Sequence, residues 1–130
     1  MTKKKSSRNL VWMDLEMSGL DPDKDVILEI ATIVTDAELN ILAEGPVIAI
    51  HQGENVFESM DEWNSKHHTQ SGLVERCRHS QYSTADAEKV TFDFIKPFTE
   101  KTKNVLCGNS ITQDRRFLYK YMPEISNWLC

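Results

Sequence analysis

Three apolar runs dominate the first part of the chain: "LVWMDLEM" at 10–17, "VILEIATIVTD" at 26–36 and "ILAEGPVIAIHQ" at 41–52. Each is predominantly apolar and bounded by turn formers, so each reads as a strand. "DPDKD" makes the turn after the first, and the Asn-containing stretch Asp36–Asn40 joins the second to the third. The pattern then changes. Residues 56–78 read as one or two short helices broken around "TQSG". Ser83, with Asp86 three residues on, makes a capping-box-like start to a longer helix with an apolar stripe of Ala87, Val90, Phe94, Ile95 and Phe98. "NVLCG" reads as a short buried strand. Ser110 with Gln113 makes a second capping box, opening a helix that runs to about Tyr121 and stops near Pro123.

The first run carries an anomaly. Leu10, Trp12, Asp14 and Glu16 share one face, and Val11, Met13, Leu15 and Met17 the other. Both faces start apolar, so the strand reads as buried on both sides. Two carboxylates nevertheless stand on one face at its C-terminal end, the end where open α/β sheets bind ligands. Burying like charges together is costly unless something compensates them, and a divalent cation would. The other reading is a strand end that emerges into solvent.

Asp114 repeats the anomaly on the last helix. It sits on the inward stripe of Ile111, Phe117, Leu118 and Tyr121. Arg115 and Arg116 flank it as alternative partners, although adjacent residues do not face each other on a helix. A third inward carboxylate, on the first turn of a helix that follows a strand, can converge with Asp14 and Glu16. Such carboxylates suit Mg²⁺ or Mn²⁺, and paired ions of this kind serve phosphodiester hydrolysis.

Composition narrows the classes. The chain has 130 residues and a net charge of −5, enough for one domain with a real core and unsuited to wrapping long nucleic acid by bulk electrostatics. Cys77, Cys107 and Cys130 form no CxxC pair and read as free thiols in a reducing compartment. "MTKKKSSR" is basic, with no apolar signal core after it and no membrane span anywhere. Residues 1–8 read as a mobile tail and 9–130 as the domain.

"VWMDLEMSGLDP", "ILEIATIVTDAELNILAEGP" and "CGNSITQDRRFLYKYMPE", in this order, resemble the oligoribonucleases of the DEDD exonuclease family over about residues 9–125. The resemblance implies an RNase H-like α/β fold, a mixed sheet with flanking helices. It implies 3′-to-5′ removal of nucleotides from short oligoribonucleotides, two divalent metals (Mg²⁺ or Mn²⁺), and a cytoplasmic homodimer. The family's first acidic motif falls on Asp14 and Glu16, and its second on Asp114. Leu20 matches the apolar residue that wedges against substrate bases, and Trp63 the aromatic that stacks on one. His68 and Ser110 match positions that contact the 5′-terminal phosphate. Against these stand ordinary core roles for Leu20 and Trp63, a surface pair for His67 and His68, and an N-cap for Ser110. Glu29, in "ILEIA", reads as structural.

One family motif is missing: a histidine followed five residues later by an aspartate. The histidines here are His51, His67, His68 and His79, all before Asp114. The expectation is the first part of an exonuclease domain, without its C-terminal strand and helices. Lacking the general base, it would turn over slowly, since such a base contributes about 10²–10⁴-fold. The alternatives are a catalytically impaired oligonucleotide-binding fragment and an unstable remnant.

Overall fold

The computed structural model describes residues 4–130. Three strands form an antiparallel meander: β1 (Leu10–Met17), β2 (Ile27–Thr35) and β3 (Ile41–Ala49). A two-residue strand, β4 (Leu106–Cys107), lies parallel to β1, giving the order β3-β2-β1-β4. Three short helices follow β3: α1 (Glu54–Ser59), α2 (Glu62–Gln70) and α3 (Leu73–His79). α4 (Thr84–Ile95) runs into a 3₁₀ turn at Lys96–Phe98, and α5 (Ile111–Tyr121) and α6 (Pro123–Trp128) close the described chain. The fold class is the expected α/β mixed sheet with flanking helices.

One face of the sheet makes the core. Val11, Met13 and Leu15 pair across the ladder with Val34, Thr32 and Ile30. Ala87 and Ile95 of α4, Phe117 and Leu118 of α5, and Met122, Ile125 and Leu129 cover this face. A second cluster, Leu28, Phe57, Leu73, Val74 and Cys77, seats α1 and α3 against one end of β2.

The opposite face of β1 departs from the sequence reading. Leu10, Trp12 and Glu16 are half-buried and Asp14 is exposed, so the strand is buried on one side only. Trp12 accounts for the apolar start of that face: it lies along the sheet and its indole N–H donates to Thr35 Oγ1 at 3.0 Å, an apolar body with a satisfied polar tip.

Other local signals resolve in the same terms. The Ser83 capping box forms in both directions. On α4, however, Thr91 is buried where Val90 was expected, and Val90 is exposed. The 56–78 segment holds a break beyond the one at Gly72. Asp61 caps α2 by accepting from the Asn64 N–H at 2.7 Å, which separates it from α1. Part of the expected tail is fastened: the Asn9 side-chain amide donates to the carbonyls of Lys4 and Phe98, and Asn104 donates to that of Ser6. Residues 1–3 lie outside the described residues. The three cysteines are free thiols.

Candidate active site

Asp14 and Glu16 stand on the outward face of β1 just before the β1–β2 register slips, between Glu16 and Met17. The slip starts the loop that carries Leu20, and Asp25 organises that loop. Its carboxylate accepts from Ser18 Oγ and from the Asp21 N–H, both at 3.1 Å. A Cβ on Gly19 would meet this carboxylate at under 3 Å, so a side chain there would push Asp25 off its partners. The Tyr121 hydroxyl of α5 lies 2.9 Å from the Pro22 carbonyl and 2.6 Å from that of Asp25. The Gln113 side-chain amide donates to the Leu20 carbonyl. Leu20 therefore sits 75% exposed on a loop held from both sides, which rules out a core role.

The Ser110 capping box does not form, and Ser110 lacks the extended backbone that Asp61 and Ser83 have as caps. The Gln113 side chain is spent on Leu20 and on Arg116, and Ser110 makes no side-chain cap. Ile111, expected on the inward stripe, is 41% exposed.

Asp114 faces inward, as expected, and is 3% exposed. Neither flanking arginine neutralises it. Arg115 donates to the carbonyls of Leu129 and Cys130, and Arg116 to Gln113 Oε1 at 3.1 Å. Among the described residues its carboxylate has no hydrogen bond or ion pair. Burial first, then the charges of Asp14 and Glu16, push its carboxyl up to about 6. Glu16 is also raised, by burial, then Asp14; His68, Glu29 and His67 act less, the two histidines pulling it down. The three candidate acids thus share one field.

Gly108 makes that proximity possible. A Cβ there would stand 2.6 Å from the Met13 carbonyl oxygen and 3.8 Å from Asp114 Oδ2. Without a side chain, the β4–α5 connection presses against β1 and delivers Asp114 to the strand end. A cleft of about 420 Å³ opens beside it, lined by Trp12, Asp14, Glu44, Gly108 and Asn109 among others. A wider cleft of about 780 Å³ runs between β4 and α5, and none of the three candidate acids lines it.

Trp63 is 68% exposed on α2 and stacks on His67 with centroids 4.9 Å apart. His68, one residue on, is 3% exposed, with Nε2 2.9 Å from the Met17 carbonyl. A carbonyl only accepts, so Nε2 carries a proton. His68 therefore ties α2 to the end of β1 and is not a surface residue. The Ser110 hydroxyl is exposed at the start of the 11-residue α5. Gly108 and Asp25 were not picked out from sequence, and Gln113 and Tyr121 were read only as a capping residue and a core residue. The signal available for the first was a glycine between a strand and a helix.

The three acids offer hard oxygen donors with an excess of negative charge, the chemistry of a divalent-cation site. Among the described residues no three His, Cys, Asp or Glu side chains form a ready-made metal cage.

Residues 11–130 match the family described as Exonuclease (RNase_T). The chain belongs to this exonuclease family. Among its relatives are oligoribonucleases of Pseudomonas savastanoi pv. phaseolicola, 57% identical over 95% of this chain and 69% of the relative, and of Legionella pneumophila strain Corby, 58% identical over 94% and 65%. That of Ectopseudomonas mendocina is 61% identical over 90% and 65%. This exonuclease-family chain thus spans about two thirds of the length of these relatives. Among solved structures it resembles E. coli Exonuclease I bound to a dT13 oligonucleotide, with a TM-score of 0.64 and 18% identity over 85% of this chain and 23% of that one. It also resembles the zinc-bound form of an E. coli ExoI–ssDNA complex, with a TM-score of 0.63 and 20% identity over 89% and 24%. At these identities the likeness establishes the exonuclease fold.

Proposed function

We propose that the chain carries the metal-holding and base-gripping part of a 3′-to-5′ exoribonuclease that degrades short oligoribonucleotides to mononucleotides. The observation that carries this reading is Asp114: a buried carboxylate without a cationic partner among the described residues, in the field of Asp14 and Glu16. The fold is a hydrolase's, and the relatives named as oligoribonucleases supply the substrate class.

Asp14, Glu16 and Asp114 would hold Mg²⁺ or Mn²⁺. Divalent ions held there would supply activation of a water and charge stabilisation for the leaving oxygen. Leu20 and Trp63 both present apolar surface to solvent near the strand end, and they would grip the bases of a short strand, an aromatic face accepting any base. Ser110 would donate to a phosphate at the start of α5, where backbone N–H groups also point. His68 keeps α2, and with it Trp63, in place against β1. Family resemblance supports a cytoplasmic homodimer; no helix among the described residues is long and apolar enough to cross a membrane.

Incubating the chain with a labelled diribonucleotide tests the reading. The expected result is mononucleotide release that requires Mn²⁺ or Mg²⁺ and is lost in Asp14→Ala. Equal release with a chelator present, or by the variant, would overturn it.

A further inference from the structure

Glu16 and Glu29 are direct partners across the β1–β2 ladder, one position before the slip. Opposed residues share a face, with Cβ atoms about 4.5–5.5 Å apart, and like charges there repel. Yet the Glu29 side chain is only 15% exposed. Its partner is Arg76 of α3, which reaches down to form an ion pair with it. α3 cannot swing away: Leu73, Val74 and Cys77 are buried against Leu28, and Cys77 Sγ donates to the Leu28 carbonyl at 3.2 Å. A guanidinium is thus fixed one strand away from a candidate metal ligand. The basic groups that act on Glu16 as it stands are His68, whose Nε2 is engaged by the Met17 carbonyl, and His67; Arg76, held by Glu29, is not among them.

We propose that Glu29 is a positioning residue, a decoy carboxylate that occupies Arg76 and so keeps Glu16 open to a divalent cation. Without Glu29, Arg76 would be free to turn to Glu16, the carboxylate directly across the ladder. Guanidinium–carboxylate pairs are strong and often two-pronged, so Arg76 would compete with the cation for Glu16. The inference rests on the metal reading above, and it gives the ion pair a role beyond fastening α3 to the sheet.

A double-mutant cycle read by calorimetric titration with Mn²⁺, at one salt concentration and one pH above the carboxylate range, tests it. Glu29→Gln should weaken Mn²⁺ binding about fivefold, the scale of one part-exposed charge pair. Arg76→Gln should tighten it, because it removes a positive charge and leaves Glu29 unpaired. The double variant should bind within about twofold of wild type. A pair that merely holds α3 would give both single variants the same sign. Equal signs, or no change in Glu29→Gln, overturn the inference while leaving the metal site standing. If Glu29→Gln melts below the assay temperature, Arg76→Gln decides alone: tighter binding supports the inference, and unchanged or weaker binding overturns it. Binding unchanged in Asp14→Asn would show instead that the metal reading itself had failed.

Discussion

Asp114 carries its charge at neutral pH in surroundings that oppose it. Its carboxyl is raised to about 6 in the folded chain, against about 3.9 for a free aspartate. A raised carboxyl favours the fold most below the unfolded pKa, and that benefit is lost as pH rises through the folded value. Without metal, Asp114→Asn should therefore stabilise the chain at pH 7, by about 1–3 kcal/mol. The gain should shrink as pH falls from about 6 towards 4, and denaturant melts across that range would show it. Trp63 is the opposite kind of residue. It is exposed, so Trp63→Ala should leave the melting temperature nearly unchanged while weakening short-RNA binding by about 1–3 kcal/mol, the value of one stacked base. Fluorescence anisotropy with a labelled short RNA would measure it. At this scale the sequence was informative where charge contradicted pattern. Asp114 could be read as inward because it sat on an apolar stripe, whereas the side-chain bonds of Gln113 depend on a loop ninety positions earlier and leave no periodic trace.

Elements place these residues, and α5 is the critical one. Gly108 lets its leading turn approach β1, where the obstacle to a side chain is backbone, the Met13 carbonyl. Gly108→Ala should cost about 1–3 kcal/mol of stability, as overpacking does, and displace Asp114, so that urea midpoint and metal affinity fall together. At the far end, Tyr121→Phe removes the hydroxyl that holds the Leu20 loop by the Pro22 and Asp25 carbonyls. Its expected cost is about 1 kcal/mol, with faster amide exchange at Leu20–Asp25. The strands were legible as apolar runs between turn formers, although β3 itself buries only Ile48. The Ser83 cap was legible because both its partners are local. The Ser110 box failed because Ser110 does not take up the extended backbone of a cap, and the Gln113 side chain turns to Leu20 and Arg116. The break between α1 and α2 was missed because it depends on Asp61 capping, a signal hidden among many polar residues.

Across the whole molecule, the sheet order β3-β2-β1-β4 brings the end of β1, the start of α5 and the anchored end of α2 to one place. Acids at positions 14, 16 and 114, far apart in the chain, share a field because β4 lies parallel to β1 and feeds α5 back across its end. That convergence was readable from the paired acids at the end of the first strand and the inward acid on the last helix; the one-sided burial of β1 was not, since Trp12 hides a half-open face behind an apolar side chain. We propose that this shared negative field exists to hold a divalent cation. Thermal melting with and without Mn²⁺ tests it most directly, because a ligand that binds only the folded chain raises its midpoint. Wild type should melt higher with Mn²⁺. Asp114→Asn should melt at or above wild type without metal and gain nothing from Mn²⁺. Equal Mn²⁺-induced shifts in the two proteins would contradict the account.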